Sequence, residues 1–212
     1  KGLIISGLGT SSNSISVFHA ATIQQITNNV KTKTCDTEIV IANAVPVPSA
    51  PATLTLPIGT AFKLVGSATD TNSSDILSYS WEQIDDASGA ANLCSQSNAN
   101  PAGDSDCIPL GSDTVGPNFR SYFPASIGTR MFPRLVDHLA NGVTGNKWEV
   151  LSNVARRMNF RLTVRDNKIG GGNNESVNTA VTFDATKGPF LITSQNTSGI
   201  GYTEGSTQTV TW

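Results

Sequence analysis

Charge is scarce in this chain: Asp, Glu, Lys and Arg make up 14% of its 212 residues, and the formal net charge is −2. With no basic patch to neutralise phosphates, nucleic acid is a poor partner. No apolar run approaches the roughly 18 residues that a membrane-crossing helix needs, so no span is expected. Histidine occurs only as His19 and His138, in unrelated contexts. There is no G-x-S-x-G motif, and the run Gly170 to Gly172 falls between two predicted strands, where it permits positive φ in a turn rather than cradling a phosphate. No nucleophile–base pair and no catalytic ligand set emerges from these residues.

Cysteine is also rare, and its number is odd: Cys35, Cys94 and Cys107. Cys94 and Cys107 bracket a Ser-, Asn- and Gly-rich loop (CSQSNANPAGDSDC) with little of its own to order it. A disulfide between them would restrict the unfolded loop by about 3 kcal/mol in the chain-entropy model. That reading implies an oxidising compartment and leaves Cys35 over, to be partnered outside the fragment. The alternative is three free thiols. Few Lys and Glu beside many Thr and Asn resembles the composition of secreted bacterial β proteins more than that of cytosolic enzymes.

What is present points to strands. Leu77 to Asp86 (LSYSWEQIDD) centres a tryptophan in an alternating pattern, with Leu77, Tyr79, Trp81 and Gln83 on one face. Arg157 to Val164 answers it, with Met158, Phe160, Leu162 and Val164 alternating inward. A buried tryptophan strand paired at long range with a second alternating strand is how an immunoglobulin-like β-sandwich builds its core. The predicted fold is therefore all-β: a sandwich of fibronectin, PKD or immunoglobulin type. Further strands are expected at Ala52 to Leu56, Ala61 to Gly66 and Val177 to Asp184. Residues 85–150 read as a long irregular insertion with extended pieces at Phe119 to Phe123 and Arg130 to Leu135; so long an insertion packs across the unit or carries function.

The ends read differently. Ser16 to Thr32 aligns Phe18, Ile23, Ile26 and Val30 near one stripe and is the one helix expected. Pro46, Pro48 and Pro51 prevent any helix from continuing beyond it and favour extended backbone. Pro189 to Thr193 and Thr207 to Trp212 look like the opening strands of a second sandwich. The expected divisions are 1–36, the end of an upstream domain; 37–51, a Pro-rich linker; 52–186, the sandwich; and 187–212, the start of another. With Lys1 first and Trp212 last inside an alternating pattern, both ends are expected to be cuts through a larger protein.

The strings GSATDTNSSDILSYSWEQID, GPNFRSYFP, TRMFPRL, WEVLSNVARRMNFRLTVRDN, GPFLITS and STQTVTW, in that order, resemble the region after the catalytic domain in secreted bacterial reprolysin-like zinc metallopeptidases. FHAATIQQI resembles the closing helix of that metzincin domain. The resemblance implies a secreted, extracellular accessory region without catalysis of its own, supporting the catalytic domain or binding a protein or polysaccharide substrate or a cell surface. It implies contact with the catalytic domain through helix 18–32, and pairing of Cys35 with an upstream cysteine. Zinc would belong to that upstream domain, because the family's H-E-x-x-H helix has no counterpart here and Ile5 stands where the Met-turn residue would fall. The rival reading is a structural or adhesive surface protein of tandem sandwiches, assembling by strand addition.

Asp70, Asn72 and Asp75 form a D-x-N-x-x-D turn, and Asp166 with Asn167 could share the same end of the sandwich. Oxygen-rich clusters of this kind suit Ca²⁺, which takes six to eight hard ligands; the competing reading is turn residues that bond their own backbone. His19 reads as a packing or capping residue before it reads as a ligand, and so does His138. The arginines from Arg120 to Arg165 could anchor the insertion through carboxylates, or could line a solvated strand face.

Overall fold

A computed structural model describes residues 18–35, 42–86, 109–141 and 148–212. In chain order these form α1 (Ala20–Val30), β1 (Val47–Ser49), β2 (Leu54–Pro57), β3 (Phe62–Val65), β4 (Ser67–Thr69), β5 (Ser78–Gln83), β6 (Thr129–Phe132), α2 (Leu135–Asn141), β7 (Arg156–Arg165) and β8 (Asn174–Asp184). The described chain is thus largely β, with few helices. A four-stranded sheet runs β2-β8-β7-β5, and two ribbons, β1-β4 and β3-β6, accompany it. β7 is antiparallel to both β5 and β8, while β2 lies parallel to β8 at the sheet edge. An edge strand tolerates Pro57, which has no N–H to give a ladder.

Period-2 patterning explains the core. Met158, Phe160, Leu162 and Val164 of β7 are fully buried, as are Val181 and Phe183 of β8. They pack against Phe62 and Leu64 of β3, Phe132 of β6 and Trp81 of β5. Phe62 stacks on Phe132 with centroids 5.0 Å apart, and Phe160 meets Phe132 edge-on at 4.9 Å. Each fully buried side chain of this size contributes about 1.5–3 kcal/mol.

The opposite face of β5 is covered too. Ser80 and Glu82 are buried. Glu82 Oε2 accepts from Ala20 N–H at 2.9 Å, and His19 Nδ1 accepts from Ala21 N–H at 3.1 Å. With no acidic residue in its own first turn, α1 takes its N-terminal anion from β5, where the orphan amides and the helix dipole favour one. Arg165 donates to Ser80 Oγ and to the Phe18 carbonyl, and Arg161 donates to Gln24.

The structure corrects several expectations. The helix docks through its N-terminal end, with Ala20 and Thr22 buried, while Phe18, Ile26 and Val30 of the expected stripe are exposed. Capping by Glu82, not the apolar stripe, sets its position. A second helix, α2, follows β6 where Arg130 to Leu135 was expected to stay extended to its end. Its seven residues are too few for periodicity to reveal, and Arg134 braces it through Asp137 at 2.8 Å. The Pro-rich stretch is not purely a linker: Val47 to Ser49 pair with Ser67 to Thr69, just before the acidic turn. Phe119 contributes an isolated bridge to Glu149 in place of a strand at Phe119 to Phe123. Pro189 to Thr193 and Thr207 to Trp212 approach each other, Thr193 N–H donating to the Thr211 carbonyl at 2.8 Å, but neither forms a strand.

Candidate metal centre

Three segments converge at one end of the sheet: the chain entering β1, the turn between β4 and β5, and the loop between β7 and β8. Asp166, directly after β7, is almost completely buried. Its Oδ1 accepts from Lys168 N–H at 3.1 Å and Asn173 N–H at 2.9 Å; its Oδ2 accepts from Asn43 Nδ2 at 2.6 Å. Burial works to raise this carboxyl, but the hydrogen bonds from Asn173, Lys168 and Asn43 outweigh it and hold the group below its ordinary range. Gly172 packs closely beside it: a Cβ there would lie 3.1 Å from both Asp166 Oδ1 and the Lys168 carbonyl oxygen.

Asp70 Oδ1 accepts from Asn72 N–H at 2.8 Å, closing an Asx turn. Asp75 Oδ1 accepts from Lys168 Nζ at 3.0 Å. Asp70, Asp75 and Asp166 each offer a carboxylate oxygen, and these oxygens lie within 4.8 Å of one another. Asp70 Oδ2, Asp75 Oδ2 and Asn43 Oδ1 are buried without a hydrogen-bond partner. Each such acceptor costs about 1–3 kcal/mol if nothing satisfies it. Oxygen donors, clustered carboxylates and unsatisfied acceptors fit a hard cation such as Ca²⁺.

Three of the four expected ligands, Asp70, Asp75 and Asp166, therefore come together. Asn72 sits beside them, but its Oδ1 is taken by Ala44 N–H at 2.7 Å, so it holds the incoming chain. Asn43 was missed. It lies 123 residues from Asp166 in sequence, inside a stretch read as linker, and no local signal marks it.

Of the expected arginines, Arg156 anchors the insertion, chiefly through carbonyl and amide oxygens and not carboxylates, while Arg157 is exposed on β7. Arg156 donates to the carbonyls of Asp113 and Gly116 and to Asn118 Oδ1, tying the insertion to β7. Arg130 bonds the fully buried Glu149, whose Oε2 also accepts from Arg134 N–H at 2.6 Å. Burial pushes Glu149 up while the Arg130 guanidinium opposes the rise, and burial likewise lowers Arg130. His19 is the N-cap of α1, and His138 lies in α2. Cys35 is exposed and free, whereas Cys94 and Cys107 lie outside the described residues. Among the described residues no helix is long and apolar enough to cross a membrane.

A scan against protein-family models and searches of curated proteins and of solved structures returned no match.

Proposed function

We propose that this chain is a calcium-stabilised, non-catalytic β unit of a secreted zinc metallopeptidase, holding its catalytic domain or presenting a surface to substrate or cell. The carrying observation is the cluster of Asp70, Asp75 and Asp166 with buried, unsatisfied oxygens on Asp70, Asp75 and Asn43. A cation there would staple three segments distant in sequence. An immunoglobulin-like sandwich is the finer reading of the fold, supported by the four-stranded sheet packed across its aromatic core on the β3-β6 ribbon. The peptidase reading is supported by the ordered motifs that resemble that family's post-catalytic region, with α1 and exposed Cys35 as the proposed connection to the catalytic domain.

A second reading, an adhesive surface protein completed by strand addition, is favoured by one feature. Phe190, Leu191, Ile192, Val210 and Trp212 are exposed on two extended pieces that only begin to pair.

Calcium titration of thermal unfolding tests the metal. Ca²⁺ at a hundred times its Kd stabilises by about 2.7 kcal/mol, or roughly 5–10 °C for a domain of this size; Asp75→Asn abolishes the shift. No shift with Ca²⁺ in the unsubstituted chain would sink the calcium reading. Peptide sequencing of the native species, with and without reduction, tests the parent. A longer chain bearing H-E-x-x-H and joined at Cys35 supports the peptidase, while repeated β units without it support the adhesin.

A further inference from the structure

Lys168 stands at the carboxylate cluster. Its backbone N–H donates to Asp166 Oδ1 at 3.1 Å, while its side chain reaches over to Asp75 Oδ1 at 3.0 Å. One residue thus bridges two carboxylates of the same cluster, from the loop that supplies one of them. The two partners of the ion pair differ sharply in burial: the Asp75 side chain is 2% exposed and that of Lys168 is 43% exposed. The carboxylate is buried, whereas the lysine side chain reaches solvent. The other Asp75 oxygen, buried with it, has no hydrogen-bond partner.

From this asymmetry we infer that Lys168 is a resident cation of the site, displaced when a divalent ion binds and retained against monovalent ions. The inference rests on the calcium reading and deepens it. Asp70, Asp75 and Asp166 each bring a carboxylate oxygen within 4.8 Å of the others. The ammonium supplies a single positive charge through the chain itself, so the cluster stays compact when no ion is bound. A monovalent ion offers the carboxylates no more charge than Lys168 already does, and it would also have to release a tethered partner. A divalent ion offers twice the charge and uses both Asp75 oxygens. The Lys168 ammonium, on a side chain that is 43% exposed, then moves into water, while the buried Asp75 carboxylate exchanges one cation for another and is never left unpaired. The Lys168 backbone N–H stays on Asp166 throughout, so the loop keeps its shape while the side chain exchanges.

The test is calorimetric titration of the 212-residue chain with CaCl2 and with NaCl, unsubstituted and as Lys168→Met. Side-chain acylation by a limiting reagent, read by mass spectrometry, is followed in parallel with and without Ca²⁺. The expected results are roughly three- to tenfold tighter Ca²⁺ binding by K168M, the range set by one partly screened charge pair. Na⁺ competition should be measurable only in K168M, and acylation of Lys168 should be faster when Ca²⁺ is present. Ca²⁺ binding that is equal in both chains, with Lys168 acylation unchanged, overturns the displacement while leaving the calcium reading intact. Ca²⁺ binding by neither chain overturns both.

Discussion

The indole N–H of Trp81 donates to the carbonyl of Gly128 at 2.9 Å, joining β5 to the approach of β6 across 47 residues. The same carbonyl accepts from Gly66 N–H at 2.7 Å. One oxygen therefore locks three pieces of chain together: the end of β3, the tryptophan strand and the return of the insertion. Trp81 is buried with its polar edge satisfied, the arrangement a core tryptophan requires.

This junction leaves no room at Gly128. A Cβ there would lie 2.1 Å from the Gly66 carbonyl oxygen and 2.7 Å from its carbon, both backbone atoms that cannot swing aside. Gly128→Ala should destabilise by about 3 kcal/mol, the upper end for overpacking. Gly201→Ala, where nothing lies within 4 Å, should be close to neutral. Urea denaturation of the two variants checks this, and equal midpoints would refute it.

Arg156 pins the insertion with four acceptors, the carbonyls of Asp113, Val115 and Gly116 and the side chain of Asn118. A lysine has one point charge and cannot reproduce a planar fork. Arg156→Lys keeps the charge but loses part of the fork, and should cost about 1.5–3 kcal/mol, the worth of a hydrogen bond to a charged group. It should also open the segment around Asp113 to Asn118 to limited proteolysis before global unfolding. Cleavage no faster than in the unsubstituted chain would argue against the anchor.

Asp166 sets an acid limit. Burial pushes its carboxyl up, but hydrogen bonds to the charged form prevail and hold its folded pKa below the ordinary 3.8. A depressed carboxyl contributes stability that is fully present above its unfolded pKa and fades as pH falls through the folded one. Measured in EGTA, the stability gap between the unsubstituted chain and Asp166→Asn should be constant from about pH 5 to 8 and shrink below about pH 4. A gap independent of pH down to about 2 would contradict the assignment.

Much of the β framework was legible because strand periodicity is local. Met158, Phe160, Leu162 and Val164 alternate inward as their spacing required, and Trp81 lies at the core. Helix packing was not legible in the same way. The stripe of Phe18, Ile26 and Val30 has the right period, yet a buried glutamate 62 residues from Ala20 fixes where α1 sits. At the candidate site, Asp70 and Asp75 are neighbours in a turn, but nothing near Asn43 in sequence ties it to Asp166.

The amino-acid sequence by itself determined the β character, the tryptophan strand and its partner, and the acidic turn, because each depends on side chains a few residues apart. Tertiary structure alone decided that Val47 to Ser49 join β4, that Glu82 caps α1, and that Asn43, Asp75, Asp166 and Lys168 share one cluster. Those pairings depend on loop closure over long separations. There, burial and hydrogen-bond satisfaction select one partner among many that the local pattern allows.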